Sequence, residues 1–132
     1  MRYRDARLTN KAEFDRVFAD NQRARTDALL VLARPNAVGF ARLGMVVPKR
    51  LLARAIDRNR VKRCVRACFR QVRATLPACD FVVRLIAKPL PGEEARDLSR
   101  TFQRAAQRAM AQWPPAAKRE TPAPPSPNST AS

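Results

Sequence analysis

The stretch Arg58-Asn-Arg-Val-Lys-Arg-Cys-Val-Arg-Ala-Cys-Phe-Arg-Gln-Val-Arg73 decides how this 132-residue chain is read. At 100° per residue, Val61, Cys64, Val65, Cys68, Phe69, Val72 and Leu76 share an arc of about 140°. Asn59, Lys62, Arg63, Arg66, Arg70 and Arg73 fall within about 100° on the opposite side. One face of such a helix docks on a sheet and the other is a ladder of cations. No acid interrupts the ladder, so pairing within the helix cannot neutralise it. A solvated face would ordinarily mix both signs. Like charges at this spacing are tolerable when a polyanion relieves them, which points to phosphate.

Outward from this helix the elements are short. On the N-terminal side, Thr9 or Asn10 can cap a helix on which Phe14, Val17 and Phe18 fall at i, i+3 and i+4, ending near Asn21. Ala28 to Ala33 reads as a strand stopping at Arg34-Pro35, and Asn36 to Phe40 as a turn with Gly39. Arg42 to Val47 reads as the next strand, closed by Pro48, which cannot donate to a ladder. A basic connection, Lys49 to Ala55, leads into the central helix, expected from Asp57 to Thr75 before Pro77. Phe81 to Ile86 is a strand bounded by Pro89 and Pro91. From Glu93 onward, Leu98, Phe102, Ala105, Ala106, Ala109, Met110 and Trp113 follow helical spacing, giving a last helix with an acidic first turn. The order predicts an α+β fold, α-β-β-(β)-α-β-α, the bracketed strand falling within 34–47. Residues 1–113 are expected to form one RNA-binding domain, and the Pro-rich 114–132 reads as a disordered tail.

Charge supports the same partner. Twenty-seven Lys and Arg against eleven Asp and Glu leave a net +16, which attracts polyanions over long range. Twenty-two of the cations are Arg, whose planar fork grips phosphate bidentately, although a GC-rich genome would also favour Arg codons. Ala28 to Ala78 holds twelve cations and a single acid, Asp57, for +11, whereas the longer remainder carries +5. No run approaches the roughly 18 apolar residues of a membrane span. No apolar signal core follows the basic first residues, so the chain is expected in the cytoplasm. Three cysteines, an odd number, argue against a secreted disulfide scaffold. Cys64 and Cys68 suit an apolar helix face, and a zinc site would want four ligands in a chain without histidine.

Arg58-Asn59-Arg60-Val61-Lys62-Arg63, followed by Arg66 and Phe69-Arg70, closely resembles the signature helix of bacterial ribonuclease P proteins. Arg42-Leu-Gly-Met-Val-Val-Pro-Lys-Arg50 is similar to the glycine-containing strand and basic pair that precede that helix. Leu76-Pro-Ala-Cys-Asp-Phe-Val-Val83 resembles the segment leading into the family's next strand, and Leu8-Thr9 with Glu13 to Phe18 resembles its first helix. The departures are Pro48 where Ser or Ala is usual, Arg50 for a common Lys, and Cys64 for a larger aliphatic residue. Arg84 puts a charge within a strand and is expected on an open face.

The resemblance implies a small α-β sandwich with a left-handed β-α-β crossover, against the general handedness rule. It implies a protein that joins a catalytic RNA subunit and removes the 5′ leader of precursor tRNA. Arg58, Asn59, Arg60, Lys62, Arg63, Arg66 and Arg70 would meet the RNA subunit. Phe14 and Phe18 would line the cleft for the single-stranded leader, with Lys49 and Arg50 near its backbone. Stacking on aromatic faces tolerates any base sequence; simple core packing is the competing account of both phenylalanines. Magnesium would be held mainly by RNA and substrate, with none bound by the protein alone, and no protein partner or membrane is required. No catalytic side chain is expected, because phosphodiester cleavage by two metals needs converging carboxylates that this chain lacks. A ribosomal or RNA-chaperone protein is the alternative from the binding class. A protein-only nuclease is disfavoured by the same scarcity of histidine and carboxylates. A membrane-active basic helix is disfavoured because its apolar arc is needed for a core.

Overall fold

The computed structural model describes residues 7–8, 10–90 and 92–113. Thr9, Pro91 and the expected tail from residue 114 lie outside them. Among the described residues three α-helices and four strands follow in the order α1 (Lys11–Ala19), β1 (Gln22–Arg25), β2 (Leu29–Pro35), β3 (Arg42–Val46), α2 (Ala55–Val72), β4 (Cys79–Leu85) and α3 (Leu98–Gln112). Asn10 caps α1, its side-chain oxygen accepting from the Ala12 amide at 2.7 Å, which satisfies one orphan donor of the first turn. A single 3₁₀ turn, Arg73–Thr75, finishes α2.

The sheet order is β1-β2-β4-β3. β2 lies antiparallel to both β1 and β4, while β3 runs parallel to β4 and reaches it through α2. That connection is the β-α-β crossover, and it lays α2 across the sheet. Side chains alternate as the pleat demands. Leu29, Val31, Ala33, Phe81, Val83 and Leu85 point to one face, where Val61, Val65 and Phe69 of α2 and Leu98, Phe102 and Ala105 of α3 meet them. Phe69, Phe81 and Phe102 pack mutually with ring centroids 5.5 to 6.4 Å apart. The intervening residues Leu32 and Val82 point the other way and, with Leu8 and Val17, form a smaller core beneath α1. α2 therefore buries the arc that its sequence marks as apolar, with Cys64, Cys68 and Val72 half-buried along it.

Three expectations change. The additional strand is β1 at Gln22–Arg25, ahead of β2, and not within 34–47. Its sequence Gln-Arg-Ala-Arg buries only Ala24, so it carries almost no apolar alternation; pairing with β2 and cover from α3 hold it in place. α2 begins at Ala55, two residues before Asp57, which sits in its first turn where the helix dipole favours an anion. The last helix has no acidic first turn, because it starts at Leu98 and not near Glu93. Gly92 and Asp97 both take positive φ, 82° and 62°, and these left-handed positions break 93–97 into turns. Glu93 and Glu94 lie in those turns.

Candidate nucleic-acid interface

The face of α2 away from the sheet carries Asn59, Arg63 and Arg70 exposed, with Lys62, Arg66 and Arg73 half-exposed. Among the described residues no acid pairs with Lys62, Arg63 or Arg66. Their charges stand on one side of a helix pinned by Val61, Val65 and Phe69, so the ladder is displayed on a rigid support.

Arg58 and Arg60 behave differently from that ladder, for a reason their helical angle supplies. Arg58 falls inside the apolar arc, and its Nη1 turns back to donate to the carbonyls of Leu52 and Ala53 at 2.9 and 2.7 Å. It braces the entry to α2. Arg60 falls at the border between the two arcs. Its Nε donates to Glu94 at 3.1 Å and its Nη2 to Asp57 at 3.3 Å. Half of its side chain remains exposed, so the guanidinium is oriented without being enclosed. Glu94 is buried to 6% exposure, and sequence reading gave it no role. An acid between Gly92 and a helix start was the available signal, but its partner lies 34 positions away.

Phe14 and Phe18 stack on one side of α1 with centroids 6.2 Å apart and planes inclined by 30°. Phe14 is half-buried against the sheet, whereas Phe18 is 40% exposed. Gly44 makes this seat possible. A Cβ there would lie 2.5 Å from Cζ of Phe14, so only glycine lets the ring approach β3 this closely. Beyond the rings, Leu30 and Val46 pack at the edge of the smaller core, and Arg84 stands exposed on the same face, as its position in the strand led one to expect. Lys49 and Arg50 are both exposed in the turn after β3, where the Pro48 carbonyl accepts from the amides of Leu51 and Leu52.

The residues expected at two separate contacts meet in one place. Lys62 and Arg66 from α2, Phe14 from α1, and Gly44 and Met45 from β3 surround a pocket of about 180 Å³, which Arg7 closes from the N-terminal side. Arg7 is held there because the Arg7-Leu8 segment pairs with β3, the Leu8 amide donating to the Leu43 carbonyl at 2.8 Å. Three cations thus bound a small cleft with an aromatic floor, suited to a phosphate beside an unstacked base.

The orientation of α1 above the sheet is fixed by an ionic hub. Arg42 on β3 donates from Nε and Nη2 to the two carboxylate oxygens of Asp80 at 2.8 and 2.9 Å, and from Nη1 to Glu13 of α1 at 2.8 Å. Asn36 adds a bond to Asp80 at 2.8 Å. These acceptors hold the Arg42 guanidinium in its charged form, raising its pKa further, with Asp80 the larger influence. The three cysteines are unbridged. Among the described residues no helix is long and apolar enough to cross a membrane.

Comparison with known proteins agrees with this geometry. Residues 3–110 match the family model for ribonuclease P. The ribonuclease P protein component of Pasteurella multocida is 42% identical over 106 residues, covering 80% of this chain and 87% of that protein. The corresponding component of Yersinia enterocolitica is 38% identical over 111 residues, covering 84% and 92%. The solved ribonuclease P protein from Thermotoga maritima superposes with a TM-score of 0.61 at 28% identity, covering 77% of this chain and 96% of that one. A Staphylococcus aureus ribonuclease P protein shares the fold, with a TM-score of 0.64 at 23% identity over 79% and 94%. With the family model spanning most of its length, the chain belongs to the ribonuclease P protein family.

Proposed function

We propose that this chain is the protein subunit of ribonuclease P, binding a catalytic RNA subunit and the 5′ leader of precursor tRNA so that the leader is cleaved away. The observation that carries this reading is the unneutralised ladder of Lys62, Arg63 and Arg66 on a helix whose other face is locked into the core. In this reading Asn59, Arg60, Lys62, Arg63, Arg66 and Arg70 face the RNA subunit, and Arg58 supports them by fixing the entry to α2. Phe18 offers an exposed ring to the leader, Phe14 forms the floor beneath it, and Lys49 and Arg50 lie along the leader backbone.

The protein's contribution is charge neutralisation and positioning, which lower the barrier by presenting the scissile bond in a productive pose. No side chain is assigned a proton to move. Magnesium, which supplies activation of water and stabilisation of the leaving oxygen, would be held mainly by RNA and substrate. The carboxylates nearest the cationic face fit that division, since Asp57 and Glu94 are already engaged by arginines.

The test reconstitutes purified protein with a candidate RNA subunit and precursor tRNA at low magnesium. The expected result is release of a mature 5′ end that requires both components. A chain that binds RNA tightly yet leaves cleavage unchanged would instead be a general RNA-binding protein.

A further inference from the structure

The charges of α3 are as one-sided as those of α2. Over Leu98–Gln112 there are three arginines and no acid, and Arg100, Arg104 and Arg108 recur at i, i+4 and i+8. Residues at that spacing stand one above another on a helix. The opposite side, Leu98, Phe102, Ala105 and Ala109, is fully buried, so the arginine stripe faces outward. Arg108 folds onto the neighbouring strand, its Nη1 donating to the Arg23 carbonyl. Towards the start of the helix the stripe opens instead on a groove of about 640 Å³.

Five cations line that groove from three parts of the fold: Arg25 from the end of β1, Lys88 from the segment after β4, and Arg96, Arg100 and Arg104 from the α3 side. Three acids share it, and two of them are occupied. Glu93 pairs with Arg96 at 3.2 Å and Asp97 with Arg100 at 2.6 Å, both arginines being largely exposed and both acids about half so. Exposed pairs of this kind contribute little, and their arginines can turn to a phosphate at small cost. Among the described residues no acid pairs with Lys88 or Arg104. Apart from Ala28, Pro89 and Leu90 the lining is polar or charged, so it offers few of the apolar anchors on which protein interfaces depend. Glu93 on its wall is the chain neighbour of Glu94, which holds Arg60, so groove and α2 arginines share one loop.

We propose that this groove is a second RNA-contact surface, taking a stretch of phosphodiester backbone with Arg100 and Arg104 as its principal contacts and Lys88 and Arg25 flanking them. The proposal rests on the reading of the chain as a ribonuclease P subunit and adds to it a surface separate from the α2 ladder and the Phe14–Phe18 cleft. The backbone belongs to the RNA subunit or to precursor tRNA, which present the same chemistry.

The experiment compares three full-length variants, Arg100→Gln/Arg104→Gln, Arg100→Lys/Arg104→Lys and Arg63→Gln/Arg66→Gln. One arm measures affinity for the isolated RNA subunit across a salt series; the other measures affinity of the reconstituted holoenzyme for precursor tRNA. The α3 Gln pair is expected to lose about tenfold in one arm, with the log–log salt slope falling by about 1.4 to 1.8 for two phosphates. The arm that responds identifies the source of the backbone. The Lys pair should retain the wild-type slope, because neutralisation needs the charge and not the fork. An unchanged α3 Gln pair beside a weakened α2 pair overturns the groove and leaves the functional reading intact. Weakening of neither pair overturns both. A Lys pair as weak as the Gln pair overturns the phosphate assignment. Should the Gln pair melt early, Arg25→Gln/Lys88→Gln, both outside helices, replaces it with the same outcomes.

Discussion

Arg60 of α2 donates from its Nε to the buried carboxylate of Glu94 at 3.1 Å, joining the signature helix to the turns that precede α3. The guanidinium that we propose faces RNA is therefore also the counter-ion of a residue only 6% exposed. Arg60→Ala should affect both roles. Stripping one partner from a fully buried pair costs about 3–5 kcal/mol; with Arg60 half exposed the expected loss is about 1–2 kcal/mol. Adding Glu94→Gln should recover most of that stability while RNA affinity stays weak. Urea unfolding and RNA titration of the single and double variants separate the effects, and an Arg60→Ala chain as stable as wild type would refute the counter-ion role.

The Arg42 hub makes a graded prediction. Arg42→Leu leaves Asp80, 2% exposed, with Asn36 as its remaining side-chain partner, and should cost about 3–5 kcal/mol. Glu13→Gln removes the charge from the link to α1 alone and should cost about 1 kcal/mol. Because α1 bears Phe14 and Phe18, the milder variant should raise the precursor-tRNA concentration needed for half-maximal cleavage while affinity for the RNA subunit holds. Equal loss in both assays would mean that the hub serves the whole fold and not the cleft.

Gly44→Ala should displace the Phe14 ring, since the new methyl would fall 2.5 Å from its Cζ. Overpacking of this kind costs about 1–3 kcal/mol. In a Phe14→Leu background the same substitution should cost markedly less, so a double-mutant cycle reads the contact directly. Additive losses would show that the strand, and not the ring, rejects the methyl.

Phe18 should separate from Phe14 in the same measurements. Phe18→Ala removes a ring that is 40% exposed, so stability should change little. If the ring stacks on a leader base, holoenzyme affinity for precursor tRNA should fall by about 1–3 kcal/mol. Substrate trimmed of its leader should bind wild type and variant alike. A deficit that persists with the trimmed substrate would place the ring elsewhere than on the leader.

What the sequence made legible was whatever repeats at short range. The apolar arc of α2 and the cations opposite it follow from 3.6 residues per turn, and Val61, Val65 and Phe69 are buried as that arc requires. β1 escaped because Gln-Arg-Ala-Arg holds one small apolar residue, and its strand character comes from β2 beside it. Arg58 and Arg60 were grouped with the ladder by motif, although their helical angles set them apart; carbonyls in the preceding turn and Glu94 claim them. The arginines of α3 are equally periodic, but the apolar spacing of that helix already accounts for its place in the fold and says nothing of what its charges face. Which cations share a groove depends on tertiary placement, and no local pattern announces it.

Cys79 permits a test of the core through pH. Burial, with the neighbouring Asp80 charge adding to it, pushes its thiol up to about 12, against about 8.5 for a thiol in the unfolded chain. Below pH 8.5 both states keep the proton, so the thiol's contribution to stability is fully present. Between about pH 8.5 and 12 the unfolded chain ionises while the folded one does not, and stability falls as pH rises. Other groups titrate in this range, so the informative quantity is the difference between wild type and Cys79→Ala. At pH 8 the wild type should be the more stable, because alanine leaves a void beside Met110, whose sulfur lies 3.8 Å from the thiol. That advantage should shrink steadily up to pH 10.5 in urea unfolding. Alkylation at pH 8 should meanwhile label half-buried Cys64 and spare Cys79 until the protein unfolds. A stability difference independent of pH would mean that Cys79 is hydrated in the folded chain.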